Sequence, residues 1–305
     1  MSLIGWFKRA GPNGFGYRST AEQVTDGLDL AGRTVLLTGC NSGLGLETLR
    51  VLALRGAHVL AAARSEAKAR DALRAVGASG TPLACELAEP ASVRGCVAAV
   101  RALGRPLDAI VCNAGIMALP RLETRYGLEL QFLTNHVGHF LLVTGLLEQL
   151  APRGRVVVVS SAAHRAAPAE GIVFDNLDGA RGYRPWQAYG ITKLANLLFA
   201  RELARRLGGG GRTANALHPG VIPTRLARYM AGVGPVLALA APLAFKTVAE
   251  GAATQCYLAA HPAPESVSGE YFADCNPASS TPQGRDDALA ARLWSVSEDI
   301  AARLP

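Results

Sequence analysis

The chain has 305 residues, 50% of them hydrophobic and 18% charged, enough to bury a substantial core in one α/β unit and too apolar for a disordered chain. Its 31 Lys+Arg against 24 Asp+Glu leave a net charge of +7. The arginines are scattered as singles and pairs such as Arg201, Arg205 and Arg206, without interleaved aromatics, which reads as a solvated surface and excludes a nucleic-acid face.

Residues 1–30 include GPNGFGYRST, turn-rich and weakly periodic, so an arm is expected to lie on a domain spanning 31–305. The opening MSLIGWFKRA puts its charges after a short apolar run, the reverse of a secretory signal, and no membrane span follows. Then the period changes. Thr34 to Leu37 reads as a buried strand, Leu44 to Arg55 as a helix and Ala57 to Ala62 as a second strand. Leu83 to Cys85, Leu107 to Cys112, Val156 to Val159, Thr213 to Leu217 and Glu270 to Phe272 continue the series, with helical patterns between most of them. Short apolar strands alternating with helices predict a parallel sheet covered on both faces. Thr124 to Leu150 is expected to be a helix, with an apolar stripe through Leu128, Phe132, His139, Leu142 and Leu146. Asn135 lies on that stripe, as either a satisfied structural amide or part of a polar site. The six cysteines, Cys40, Cys85, Cys96, Cys112, Cys256 and Cys275, have no C-x-x-C spacing, which argues against structural zinc and for reduced thiols in a cytoplasmic protein. His58, His136, His139, His164 and His261 have no metal-ligand spacing either.

Directly after the first strand comes TGCNSGLG, Thr38 to Gly45, leading into a helix. Glycines at 39, 43 and 45 let the backbone turn tightly and let a pyrophosphate approach amides at the positive end of the helix, with Asn41, Ser42 and Leu44 between them. The second strand ends Ala62, Ala63, Arg64 with no carboxylate to bind a ribose 2'-hydroxyl, while Arg64 can fork onto a 2'-phosphate. NADP(H) is therefore favoured over NAD(H). Further on, QAYGITKL sets Tyr189 and Lys193 four residues apart on one helix face, and lysine is rare in this chain, with only Lys8, Lys68, Lys193 and Lys246. An ammonium about 4 Å from a phenol, at an effective dielectric of about 20, favours phenolate by roughly 4 kcal/mol. Such a pair also occurs by chance on many helices.

TGCNSGLG, CNAG at Cys112 to Gly115, Asn135 in TNHVGHF, SSAAH at Ser160 to His164, YGITK at Tyr189 to Lys193 and HPGVIPT at His218 to Thr224 come in the order found in short-chain dehydrogenases/reductases. NHVGHF, SSAAH, SGEYF and LWSVSEDI resemble the branch containing retinol dehydrogenases, WW-domain oxidoreductase and protochlorophyllide reductase. The resemblance covers roughly Phe15 to Ile300. It implies that Tyr189 donates or accepts the proton, that Lys193 lowers its pKa and holds the nicotinamide ribose, and that Ser161 hydrogen-bonds the substrate oxygen. Asn135 would hold a water linking Lys193 to solvent. Asn113, Ala114 and Gly115 would line the cofactor cleft, and Pro219, Gly220, Ile222 and Thr224 the nicotinamide amide. Two departures stand out: Glu86-Leu87 replaces the usual Asp-Leu beside the adenine, and a long loop, Ala162 to Ala188, separates Ser161 from Tyr189. Within that loop Tyr183 and Trp186 could each be a substrate wall or loop packing.

The expected architecture is a single doubly wound Rossmann-type α/β domain; the resemblance implies seven parallel strands in the order 3-2-1-4-5-6-7. The expected activity is NADP(H)-dependent reduction of a lipophilic aldehyde or ketone, or oxidation of the alcohol. Reduction of a carbon-carbon double bond is the rival within enzymes, and a non-catalytic NADP-binding sensor or scaffold the rival outside them, although a sensor needs no tuned phenol. Residues 226–245 follow the nicotinamide loop and are almost uncharged from Ala231, so they are expected to form a substrate lid, with core packing, a subunit contact or peripheral membrane contact as alternatives. A homo-oligomer is left open.

Overall fold

The computed structural model describes residues 10–222 and 245–305. Among them, seven strands run parallel: β1 (Thr34–Thr38), β2 (His58–Ala63), β3 (Gly80–Ala84), β4 (Leu107–Cys112), β5 (Leu150–Val159), β6 (Thr213–His218) and β7 (Tyr271–Ala273). Their order across the sheet is 3-2-1-4-5-6-7, as the resemblance implied. An eighth strand, β8 (Asn276–Pro277), adds to β7 antiparallel after two consecutive residues with left-handed backbone, Asp274 and Cys275. A hairpin of that kind returns the chain beside the strand it has just left, and Pro277 is tolerated because β8 is an edge.

Among the described residues, seven helices longer than a single turn pack around the sheet: α1 (Gly43–Leu54), α2 (Glu66–Ala75), α3 (Pro90–Ala102), α4 (Gly138–Leu146), α5 (Pro185–Leu207), α6 (Val248–Ala260) and α7 (Asp287–Arg303). Successive strand residues point to opposite faces, so one strand feeds two cores. Leu36, Ile110, Val156 and Val158 join a cluster with α3, α4, α5 and α7, while Val35, Leu37, Val111 and Val157 join another with α1, α2 and α6. In the first core, Trp294 of α7 meets Phe140 of α4 and Phe199 of α5, with ring centroids 5.0 and 5.8 Å away. The second core also takes Ala21, Val24 and Leu30 from the N-terminal segment, whose Asn13 Nδ2 donates to the Cys275 carbonyl at 2.7 Å. All six cysteines are buried and free, and the described residues hold no cluster able to ligate a metal.

The single helix expected over residues 124–150 breaks into pieces. Thr124–Arg125 pairs with Leu128–Glu129 across Tyr126 and Gly127, both at positive φ, which is a tight hairpin. After one helical turn comes a π-helical turn, Leu133–Val137, before α4 starts at Gly138. Gly138 is needed there, since a Cβ would stand 2.4 Å from the Leu87 carbonyl oxygen. The stripe residues Phe132, His139, Leu142 and Leu146 remain buried through this change because the π-helical turn and the start of α4 are buried on all sides.

Candidate active site

The motif residues gather at the C-terminal ends of the strands, on both sides of the crevice where the order reverses between β1 and β4, the place where open α/β sheets hold ligands. Gly39 turns the chain off β1 with φ 69°, and a Cβ on Gly45 would lie 2.1 Å from the Gly39 carbonyl oxygen. Glycine is thus required for α1 to start this close to the strand it follows. Asn41 and Ser42 are exposed, and Ser42 makes no side-chain capping bond, so the first-turn amides of α1 are left for another acceptor. A pyrophosphate fits that demand. Leu44 and Ile222 both close on Gly251 of α6, where a Cβ would be 2.7 and 2.8 Å from their side chains, which ties the glycine turn to the loop after β6.

Asn113 Nδ2 donates to the Thr38 carbonyl at 2.9 Å, fastening the end of β4 to that of β1, with Ala114 and Gly115 continuing along the crevice. Arg64 stands exposed one residue beyond β2, where a ribose phosphate could be met. Glu86 is half-buried and accepts from the Ala88 amide at 3.4 Å, and Leu87 packs on Gly138, so this departure from Asp-Leu leaves the carboxylate engaged with its own turn. Pro219, Gly220 (φ 98°) and Ile222 form the loop after β6, whereas Thr224 and all of the expected lid except Phe245 lie outside the described residues.

On the other side of the crevice, the two serines follow directly on β5. Ser160 Oγ is buried and donates to the Lys193 carbonyl at 2.6 Å, so it fixes the helix, while Ser161 hydrogen-bonds the Tyr189 phenol. Lys193 Nζ donates to the Val159 carbonyl at 3.0 Å and lies 5.6 Å from the centre of the Tyr189 ring. Asn135 is fully buried and satisfied: its Oδ1 accepts from Ile116 N at 2.8 Å, and its Nδ2 donates to Ile116 O at 2.9 Å and to Thr192 Oγ1 at 3.0 Å. The amide is thus both structural and part of the polar site. Burial adds an effect that spacing does not show. Burial pushes the Tyr189 phenol up to about 12, against the opposing Ser161 hydrogen bond, and pushes the Lys193 ammonium down to about 8. Desolvation of two buried groups thus opposes the phenolate that their spacing favours.

The two aromatics of the long loop separate. Tyr183 is packing, donating to Leu119 O at 2.7 Å and accepting from Gln131 Nε2 at 3.0 Å. Trp186 is 46% exposed with its ring 6.2 Å from that of Tyr189, so it borders that tyrosine. Several supports escaped the sequence reading. Gln255 of α6 reaches Leu44 O and Asn113 Oδ1, both at 3.4 Å, and His218 Nδ1 accepts from Ala162 N at 3.1 Å and Gly220 N at 3.4 Å. Lys246 is buried, pairs with Asp274 at 2.6 Å and donates its amide to Val221 O at 2.9 Å, with its stem against Gly220. The rarity of lysine was the available signal for Lys246.

Known proteins are similar to this chain in sequence and in fold. The family model of short chain dehydrogenases matches residues 33–231. Short-chain dehydrogenase TIC 32 A, chloroplastic, of Brassica napus is 40% identical over 312 residues, covering 97% of each chain. Retinol dehydrogenase 14 of Homo sapiens is 40% identical over 297 residues, covering 90% of this chain and 87% of its own. A crystal structure of an uncharacterized protein from Mycobacterium paratuberculosis superposes with a TM-score of 0.74 at 34% identity, over 92% of this chain and 97% of that one. With that model matching residues 33–231 and relatives 40% identical along nearly the whole chain, the chain belongs to the short-chain dehydrogenase family.

Proposed function

We propose that the protein is an NADP(H)-dependent oxidoreductase that interconverts a lipophilic aldehyde or ketone and its alcohol. The observation that carries this reading is the meeting of Ser161, Tyr189, Lys193 and Asn135 beside a glycine turn whose helix amides lack a side-chain cap. Bound there, the dinucleotide supplies or takes a hydride at nicotinamide C4. In the reducing direction, Ser161 and Tyr189 hold the substrate oxygen as negative charge builds on it, and Tyr189 gives it a proton. Lys193, buried and held near 8, stabilises the phenolate this leaves and passes a proton back through water positioned by Asn135.

Preference for the 2'-phosphate rests on exposed Arg64 and the absence of a carboxylate in Ala62-Ala63-Arg64. A lipophilic substrate is supported by Trp186 beside Tyr189, by exposed Val221 on the facing loop, and by the likeness to a retinol dehydrogenase. Residues 31–305 are taken as the dinucleotide domain, with 1–30 as an arm on it. Among the described residues no helix is long and apolar enough to cross a membrane. NADPH consumption across aldehydes, ketones, quinones and enones tests the reading: turnover of apolar aldehydes or ketones is expected, and turnover of enones at the double bond alone would replace it.

A further inference from the structure

His139 has no part in the roles given above, yet it is fully buried and both its ring nitrogens meet partners. Nδ1 is 3.0 Å from the main-chain oxygen of Asn135, and Nε2 is 2.9 Å from Thr38 Oγ1. A carbonyl oxygen only accepts, so the neutral ring carries its hydrogen on Nδ1 and offers a lone pair at Nε2. The Thr38 hydroxyl then donates to Nε2. Its other acceptor, Val111 O at 3.3 Å, is more distant, and turning the hydroxyl there would leave Nε2 without a donor. Thr38 Oγ1 in turn accepts from the amides of Asn113 at 3.0 Å and Ala114 at 3.1 Å.

These bonds join into one line. It begins at the two amides on the cofactor side and passes through Thr38 and His139 to the Asn135 carbonyl. The Asn135 side chain continues it to Thr192, whose hydroxyl donates to the main-chain oxygen of Tyr189 at 2.8 Å. Asn135 sits inside the π-helical turn, where Gly138 N bonds back to Leu133 O, one residue beyond the α-helical register. Its carbonyl lies where the ladder changes register, so a side-chain donor from one turn on decides how that peptide is held.

We propose that His139 is a positioning residue that holds Asn135 in register with the cofactor turn, so that proton return to Tyr189 stays in step with hydride transfer. This rests on the reading of Tyr189 as the proton donor. It would be tested with full-length protein, NADPH and the best carbonyl substrate of the panel, comparing His139→Leu, His139→Asn, Thr38→Val and Tyr189→Phe with wild type. Circular dichroism and NADPH fluorescence titration would check folding and cofactor affinity.

His139→Leu should lower kcat about 10- to 100-fold, as small misplacements near a reacting centre do, with KM little changed. Because proton movement becomes limiting, the solvent deuterium isotope effect on kcat should rise and the effect of 4-deuterated NADPH should shrink. His139→Asn, whose side-chain amide can still donate to the Asn135 carbonyl, should restore much of the rate. Thr38→Val breaks the same line by removing the donor to His139 Nε2 while leaving His139 itself in place, and should show the same isotope signature, which carries the test if His139→Leu does not fold. A folded His139→Leu or Thr38→Val with kcat within about twofold of wild type, or a loss without change in either isotope effect, overturns the proposal. Turnover surviving in Tyr189→Phe overturns the functional reading together with it, whereas a dead Tyr189→Phe beside normal His139 and Thr38 variants overturns the positioning role alone.

Discussion

The two walls of the crevice are built differently. On the cofactor side, shape comes from backbone: Gly39 and Gly45 let a turn and a helix meet, the polar residues Asn41 and Ser42 are exposed, and few side chains are committed. On the catalytic side, shape comes from buried polar side chains, each needing partners from distant parts of the chain: Asn135 from Ile116 and Thr192, Lys193 from Val159, His139 from Thr38. A backbone site tolerates solvent and is intolerant of added atoms. A side-chain site tolerates little change in charge, because each partner removed leaves a desolvated group behind.

Acid should separate the walls most strongly. Burial pushes His136 down to about 3 and His139 down to about 4 from an ordinary 6.5. Both are neutral when folded and gain a proton on unfolding, so the stability they contribute is intact above about 6.5 and falls as pH drops toward their folded values. At pH 5 each would cost about 2 kcal/mol relative to pH 8. Urea denaturation at pH 5 and 8 checks this, and hydrogen exchange should show residues 133–146 opening before α1. Equal stability at both pH values would mean these rings are hydrated.

Next in size is chemistry on the catalytic side. Tyr189→Phe should lower kcat at least about 100-fold, or roughly 2.7 kcal/mol, while NADPH affinity stays near wild type. On the cofactor side the pattern should invert. Arg64→Ala should weaken NADPH by about 1.5–3 kcal/mol and leave NADH unchanged, read by fluorescence titration with both cofactors. Equal losses with both would remove Arg64 from the 2'-phosphate. Gly45→Ala sets a methyl against a backbone oxygen 2.1 Å away, and such overpacking costs about 1–3 kcal/mol. A lower melting temperature together with weaker binding of both cofactors is expected, and an unchanged one would show that the turn yields.

This contrast also explains what could be read in advance. A glycine turn announces itself because glycine is required at fixed spacing beside a strand and a helix, and the strands were visible because β1, β4 and the last four residues of β5 alternate between two apolar cores. Tyr189 and Lys193 were legible as a pair, but the desolvation acting on both was not: spacing shows proximity, and only the fold shows burial. The break of the expected helix at Tyr126-Gly127 and the π-helical turn at Asn135 were missed because one apolar stripe runs through all the pieces. Thr38 and His139, 101 residues apart, carry no mutual signal in a single sequence.

The burial of all six thiols has a practical consequence. Cys85, Cys96 and Cys112 lie in one core and Cys40, Cys256 and Cys275 in the other, so each face of the sheet carries its own set of silent reporters. A thiol that burial keeps protonated, as at Cys40, Cys256 and Cys275, all pushed up to about 12, reacts with an alkylating reagent only when its surroundings open. Timed alkylation followed by peptide mass spectrometry would therefore clock the breathing of the two layers separately in the unaltered protein, and Cys40, inside the glycine turn, would register the arrival of a dinucleotide as a slowed clock.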